Sequence, residues 1–566
     1  MRFIMILMML VTNIAFAQAA DYLKVSPTAD KPYNGVESFG TSTTITLAKG
    51  ETRGLWLKAS IGGSSCKDAS VSSGALQVSL FRAPFITTKY ASYTGAPVGD
   101  HLDALVPLIG QVCAATKGPY LFMDITAPTT ATAGDQNVVV NVGTGSVTVT
   151  VKVLNLTMPA VPSYSVNIAN GNWFSILGHC DGKYCAMEQE LGNKYNTLFA
   201  AHRISPYAGN VTNPAIVSGA LDLDSGAGIS YRNQVLKYSP NMVFFPNGSD
   251  ATYYQALEAT IKKEGLAGRA WVYVMDEPDI SNATVKANLL TTLKMIKANA
   301  PSVKTMVTTH YDADLAPYLD IFVPVIDYLV NPYMPAPSAY AGKDLWVYTS
   351  CMAHSCGAMR ANATVNDTTS GADMLTPDLT IDRPGVHPRA LVWMMIKYNL
   401  KGILYYNSKE QYRYGGMFDL WADQWNFGGN GDGTLIYPLK PGMYNSLTHE
   451  AAPSWRLKML REALFDLEYL KLDAAAMSSA TALITDNKTW SKVFTDYQTI
   501  RNGVAAKYVV ATPTPTPSPT PTPSPSPTPT PSPSASASSC SCTCSSSSLS
   551  NPLPASFSLP CSCSCQ

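Results

Sequence analysis

The feature that most constrains this chain is a change of hydrophobic period near residue 162. Before it, short β-rich runs alternate apolar and polar residues: TSTTITLAKG at 41–50, RGLWLKAS at 53–60, ALQVSLFRAPF at 75–85, QNVVVNVG at 136–143 and GSVTVTVKVLNL at 145–156. A period of two gives each strand one buried and one wet face. Residues 18–162 are therefore expected to form an antiparallel β-sandwich. Beyond that point strands alternate with helical stretches. The strand candidates are SVNIAN (165–170), HRISP (202–206), NMVFFP (241–246), AWVYVMDEP (270–278), KTMVTTH (304–310), DYLVNPY (327–333), LWVYTSC (345–351) and GILYYNS (402–408). Helix-like runs such as 250–264, 281–299 and 389–399 lie between several of them. Eight such strands are what a (β/α)8 TIM-type barrel requires, so a multidomain chain is expected, with the barrel over 163–510 and a closing helix from 454 to about 476.

The flanks read differently. Arg2, the apolar run 3–11 and Ala15-Phe16-Ala17 give residues 1–17 the pattern of a secretory signal peptide. No later run of about 20 apolar residues follows, so the chain is not expected to be transmembrane. It is expected to be secreted, periplasmic or displayed at a cell surface. Residues 511–539 are a Pro/Thr/Ser-rich linker of extended polyproline character. Residues 540–566 are a Cys/Ser-rich tail that cannot build a core and suggests attachment to a surface or matrix. The twelve cysteines fall into two sets of six. In an oxidising compartment those of the body are expected to pair as Cys66–Cys113, Cys180–Cys185 and Cys351–Cys356, on proximity alone.

Composition narrows the partner. Charged residues are only 14%, with 40 Lys+Arg balancing 40 Asp+Glu, so nothing favours nucleic acid electrostatically. The chain is rich instead in Tyr (30) and Gly (38), with many Ser, Thr and Asn, which suits a neutral polar ligand. Neither a GxxxxGK[ST] loop, a GxSxG elbow nor an HExxH helix occurs. No cofactor and no metal are expected.

In a barrel the chemistry gathers where strands end. The leading candidate is WVYVMDEPD at 271–279, an apolar strand delivering Asp276 and Glu277 into Pro278. Neighbours on a regular strand point to opposite faces, so both acids can serve one ligand only if the backbone leaves the pleat there. Two carboxylates in unequal environments are what glycosidic cleavage needs, and apolar walls are expected to raise the pKa of the proton donor. Rings and amides at other strand ends, Asn170, Trp173, His310, Asn331, Tyr333, Tyr348, Tyr406 and Trp421, are candidates for binding sugar rings and hydroxyls.

Six blocks in order carry a resemblance: YVMDEP at 273–278, DYLVNPYMP at 327–335, LWVYTSC at 345–351, GILYYNS at 402–408, GDGTLIYP at 431–438 and PSWRLKMLREALFDLEYL at 453–470. With them the chain resembles glycoside hydrolase family 123, in which a β-sandwich precedes a barrel. The last block departs from the family in LREALFDLEYL, where glycine is more usual near the fourth position, a change expected to affect packing under the barrel. The resemblance implies a retaining β-N-acetylhexosaminidase, with N-acetylgalactosamine favoured, acting on a glycan with a terminal 2-acetamido sugar. It implies substrate-assisted catalysis through an oxazoline, with Glu277 as general acid and then base. Asp276 would hold the acetamido N–H, and Tyr333 or Tyr348 the acetamido oxygen. Two other readings stay open: a glycosidase on a non-acetamido sugar, pairing Glu277 with a carboxylate such as Asp312 or Asp432, and a non-catalytic surface glycan binder.

Overall fold

The computed structural model describes residues 21–32, 38–62, 66–93, 95–114, 119–170, 179, 188–207, 213–330, 335, 337–351, 376–409, 419–426, 428–446, 448–510, 540–543 and 562–565. Cys180, Cys185, Cys356, Trp173, Asn331, Tyr333 and the signal segment lie outside them. The chain divides into two compact units, Met1–Thr512 and Pro513–Gln566.

The first part of the larger unit is a sandwich of two five-stranded sheets. One runs Tyr22–Val25, Thr52–Ser60, Tyr120–Thr126, Gln77–Arg82, Val106–Pro107; the other Ser42–Lys49, Gly145–Thr157, Gly134–Val142, Lys67–Ser72, Gln111–Val112. Alternation does the sorting: along Gly145–Thr157, Val147, Val149, Val151 and Val153 are buried while Ser146, Thr148, Thr150 and Lys152 are not. The inner faces share a core with Leu55, Leu57, Leu121 and Met123. The sheets are not wholly antiparallel as expected, because Gly145–Thr157 pairs in parallel with Ser42–Lys49. The expected disulfide Cys66–Cys113 is present. Cys351 is disulfide-bonded too.

Eight parallel strands follow: β1 Ser165–Ala169, β2 Ser205–Tyr207, β3 Val243–Phe245, β4 Ala270–Met275, β5 Lys304–Val307, β6 Ile321–Phe322, β7 Asp344–Tyr348 and β8 Gly402–Tyr405. Their order, β2-β1-β8-β7-β6-β5-β4-β3, is that of a nearly closed barrel. The unlaced seam lies between β2 and β3, where Asn241 N–H reaches Ser205 Oγ at 3.4 Å. These strands are short and nearly continuous in apolar character, as parallel strands covered on both faces should be. The expected helices form at Ala251–Lys263, Ala283–Asn299 and Val386–Lys397. Asp250 caps the first by accepting from Tyr253 N–H, and Asn282 caps the second.

Two expectations fail locally. The described part of DYLVNPY is not a strand: Ile326–Val330 is a 3-10 turn, and the sixth strand is the dipeptide Ile321–Phe322 just before it. Pro324 lacks the N–H a longer ladder would use, while its carbonyl accepts from Tyr348 N–H at 3.2 Å. The closing helix also breaks early. Trp455–Leu470 ends, and Asp473 starts a separate helix, Ala474–Ala482, by accepting from Ala475 and Ala476 N–H.

The helix Trp455–Leu470 does more than pack under the barrel, for all its sixteen residues are buried. Leu457, Leu460, Leu464 and Leu467 join the barrel core, while its charged side chains meet the sandwich. Asp124 takes Lys458 at 2.7 Å and Arg461 at 2.6 Å. Arg456 grips Asp103 through two 2.9 Å bonds. Asp466 receives Arg53 at 2.6 Å and Arg389 at 2.7 Å. Gly54 permits the close approach: a Cβ there would stand 2.0 Å from the Phe122 ring, and its N–H donates to Glu462 at 2.7 Å.

Candidate active site

β4 does leave the pleat. Against β5, Tyr273 lies opposite Met306 and Met275 opposite Val307, so Val274 is an extra residue in the ladder. Such a bulge turns the strand and re-aims the side chains beyond it. Two residues on, Glu277 adopts φ = 40°. That left-handed backbone is uncommon for a residue with a Cβ and costs on the order of 1–3 kcal/mol unless its surroundings hold it.

Thr308, immediately after β5, supplies the hold. Its hydroxyl oxygen accepts from Glu277 N–H at 2.6 Å, and its proton goes to Asp276 Oδ1 at 3.0 Å. Tyr273 donates to the same Oδ1 at 2.5 Å and lies 3.0 Å from Thr308 Oγ1. Tyr348, the last residue of β7, donates to Glu277 Oε1 at 2.5 Å. One hydroxyl thus ties the two acids together across a strained backbone, and three strands converge on them. Among the described residues no donor meets Asp276 Oδ2 or Glu277 Oε2, and no lysine or arginine pairs with either acid.

The phenols are perturbed in one direction. Burial, then the hydrogen bond to Glu277, pushes Tyr348 well above the ordinary phenol range. Burial, with Tyr207 and Asp276 beside it, does the same to Tyr273. Both therefore stay protonated and act as donors near neutrality. Among the described residues no apolar wall covers the acids, and Asp276 and Glu277 are both exposed. Their described side-chain partners are hydroxyls.

The remaining candidates are distributed around the barrel. His310 is half-buried on the loop two residues beyond Thr308. Asn170, after β1, is buried; it accepts from Lys409 Nζ at 2.5 Å and donates to Asn196. Lys409, which no sequence pattern singles out, is itself buried, and burial drives its ammonium well below the ordinary lysine range. Tyr406 donates to Asp432 at 3.0 Å. Trp421 is not brought to the acids: its Nε1 donates to Pro438 O at 2.8 Å and its ring packs on Tyr437 and Tyr444. Both alternative carboxylates already have partners. Asp312 is tied to Lys286 at 2.7 Å, and buried Asp432 accepts from Cys351 N–H, Tyr405 and Tyr406. Among the described residues no cluster of three His, Cys, Asp or Glu could hold a metal, and no helix is long and apolar enough to cross a membrane.

Thr308 and Tyr273 are likewise absent from the candidates that the sequence suggests. Tyr273 carries a faint signal, as the one phenol within the apolar run AWVYVM. Thr308 carries none beyond its place after a strand.

No protein-family model matches the sequence, and no curated protein does. Among solved structures, a family 123 glycoside hydrolase from Clostridium perfringens, analysed for glycolipid glycan hydrolysis, matches with a TM-score of 0.59 at 12% identity. The match covers 87% of this chain and 99% of that one, so the two share a fold over nearly their whole length. A β-D-glucuronidase from Dictyoglomus thermophilum (TM-score 0.19, 8% identity, 68% of this chain and 62% of that) and S-layer protein SbsC domains 4 and 5 (0.11, 15%, 20% and 47%) overlap too little to carry an argument.

Proposed function

We propose that this chain is an exported glycoside hydrolase, a retaining β-N-acetylhexosaminidase that uses its substrate's own acetamide as nucleophile. The observation that carries the reading is the pairing of two adjacent acids on one strained turn, each with one oxygen held by a hydroxyl and the other open. The fold shared with a family 123 glycoside hydrolase is consistent with it.

The division of labour comes from the donors. Asp276 has Oδ1 occupied by Tyr273 and Thr308, so Oδ2 is left to accept the acetamido N–H. An anion there orients the acetamido oxygen toward the anomeric carbon and stabilises positive charge as the oxazolinium forms. Glu277 protonates the leaving oxygen through Oε2 and then takes the proton of the incoming water. Tyr348 bonds Glu277 in the free site, so a role at the acetamido oxygen would require exchanging that bond for one to substrate. Two neighbouring carboxyls cannot flank a sugar from opposite faces as ordinary two-carboxylate schemes demand, and Asp312 and Asp432 are each tied to other groups. N-acetylgalactosamine is the favoured terminal sugar.

A panel of nitrophenyl glycosides tests the reading. We expect turnover of β-linked 2-acetamido sugars and none of the 2-hydroxy counterparts. Comparable turnover of both classes would leave a glycosidase of another mechanism; no turnover of any would favour a glycan binder.

A further inference from the structure

The turn that carries the two acids is held from the β5 side by Thr308, and its β3 side is built differently. β3 pairs with β4 only as far as Phe245 opposite Val272. The next residue is Pro246, which has no N–H with which to continue the ladder. The β3–β4 pairing therefore stops two residues short of Val274, the extra residue of the bulge. Val274 is buried, so its carbonyl needs a donor from elsewhere.

Asn247 supplies it. Its Nδ2 donates to Val274 O across the gap that the proline leaves, in a long bond of 3.4 Å. A carbonyl can only accept, so the amide turns its nitrogen to Val274 and its oxygen to Tyr254, whose phenol donates to Asn247 Oδ1. Burial pushes the Tyr254 phenol up to about 12, so it stays a donor near neutrality. The loop that carries Asn247 is fixed as well. Tyr253 donates to Pro246 O at 2.7 Å, and Gly248 N–H reaches the Tyr254 oxygen at 3.2 Å. Gly248 makes room for this contact, since a Cβ there would stand 1.9 Å from the Tyr253 ring. We propose that Asn247 is a positioning residue for Asp276 and Glu277. It stands in for the backbone donor that Pro246 lacks and pins the bulge at Val274 from the β3 side. With Thr308 on the β5 side, it keeps Glu277 in its left-handed backbone. Its effect on turnover rests on the glycosidase reading above; the hold on the bulge does not.

Two readouts on the full-length protein test this: hydrogen exchange at the Glu277 amide, and turnover of a nitrophenyl 2-acetamido glycoside. Asn247→Ala removes the donor. Asn247→Asp keeps the shape and the acceptor for Tyr254, but sets a carboxylate oxygen against Val274 O. The loss of one neutral hydrogen bond corresponds to about fivefold. In both variants we expect exchange at Glu277 to rise by up to about that factor. We also expect kcat to fall by up to about fivefold with KM little changed. Wild-type exchange in either variant would overturn the hold, and with lowered turnover it would make Asn247 a substrate contact instead. Faster exchange with wild-type turnover would overturn the link to the reaction. If the wild-type protein turned over no glycoside, the glycosidase reading alone would fail, and exchange would still decide whether Asn247 holds the turn.

Discussion

Asp466 and Asp276 are both carboxylates held by well-placed donors, and the donors differ in kind. Asp466 is buried and takes Arg53 at 2.6 Å, Arg389 at 2.7 Å and Trp393 Nε1 at 3.2 Å. Burial alone would raise its pKa, but the two guanidinium groups outweigh it and hold the carboxyl below the ordinary range. Asp276 is exposed and, among the described residues, takes only hydroxyls, from Tyr273 and Thr308. A carboxylate locked between arginines cannot exchange a proton at neutral pH and serves as a fastener. One held by neutral hydroxyls keeps its place while an oxygen stays open to a ligand. The contrast separates the part of the molecule that joins sandwich to barrel from the part proposed to meet substrate.

The comparison can be broken from either side. Glu277→Gln keeps shape but cannot donate a proton, and should lower turnover of substrates with poor leaving groups by about 10²–10⁴-fold, with an unchanged thermal midpoint. Unchanged turnover would remove Glu277 from the chemistry. Asp466→Ala should act on the other property: leaving Arg53 and Arg389 buried without their partner should cost about 3–5 kcal/mol of stability in chemical denaturation, with normal turnover per folded molecule. A variant as stable as the wild type would show that the buried pairs fasten nothing.

Thr308→Val sharpens the contrast, since it removes the hydroxyl joining the acids and preserves side-chain shape. A buried or half-buried hydrogen bond is worth about 1 kcal/mol, so roughly a fivefold fall in kcat is expected, with KM little changed and recovery in Thr308→Ser. Equal loss in the serine variant would make the role steric. A further test concerns pH. Burial holds His202 and His387 well below the ordinary histidine pKa and His179 at about 3. Their unfolded forms take up protons below about pH 6.5 while the folded forms do not, so stability should fall as pH drops through that point. The slope should be up to about 1.4 kcal/mol per pH unit for each histidine, checked by denaturation at pH 7 and pH 5.5. A flat profile would place protonation elsewhere.

Periodicity made much of this architecture legible. Alternation marked the sandwich strands, and long apolar runs marked β4, β7 and β8. β6 was missed because two paired residues leave no period to read, and the neighbouring Ile326–Val330 carries strand-like residues in a 3-10 turn. The acids were legible because charge is scarce and they end an apolar strand. The hydroxyls that place them were not, because Thr308 is thirty-one residues from Glu277 and meets it only through the β4–β5 pairing. Trp421 shows the converse: an aromatic in a suggestive stretch whose ring packs with Tyr437 and Tyr444 instead.

The central claim is that the pair works without an enzyme nucleophile. It is tested most directly by challenging the enzyme with a thiazoline mimic of the cyclised 2-acetamido sugar and, separately, with a 2-fluoro glycoside. The account predicts competitive inhibition by the thiazoline far tighter than by the free sugar, as expected for an analogue of the intermediate, and no covalent adduct by mass. A stable adduct on any carboxylate of the chain, with no thiazoline inhibition, would contradict it.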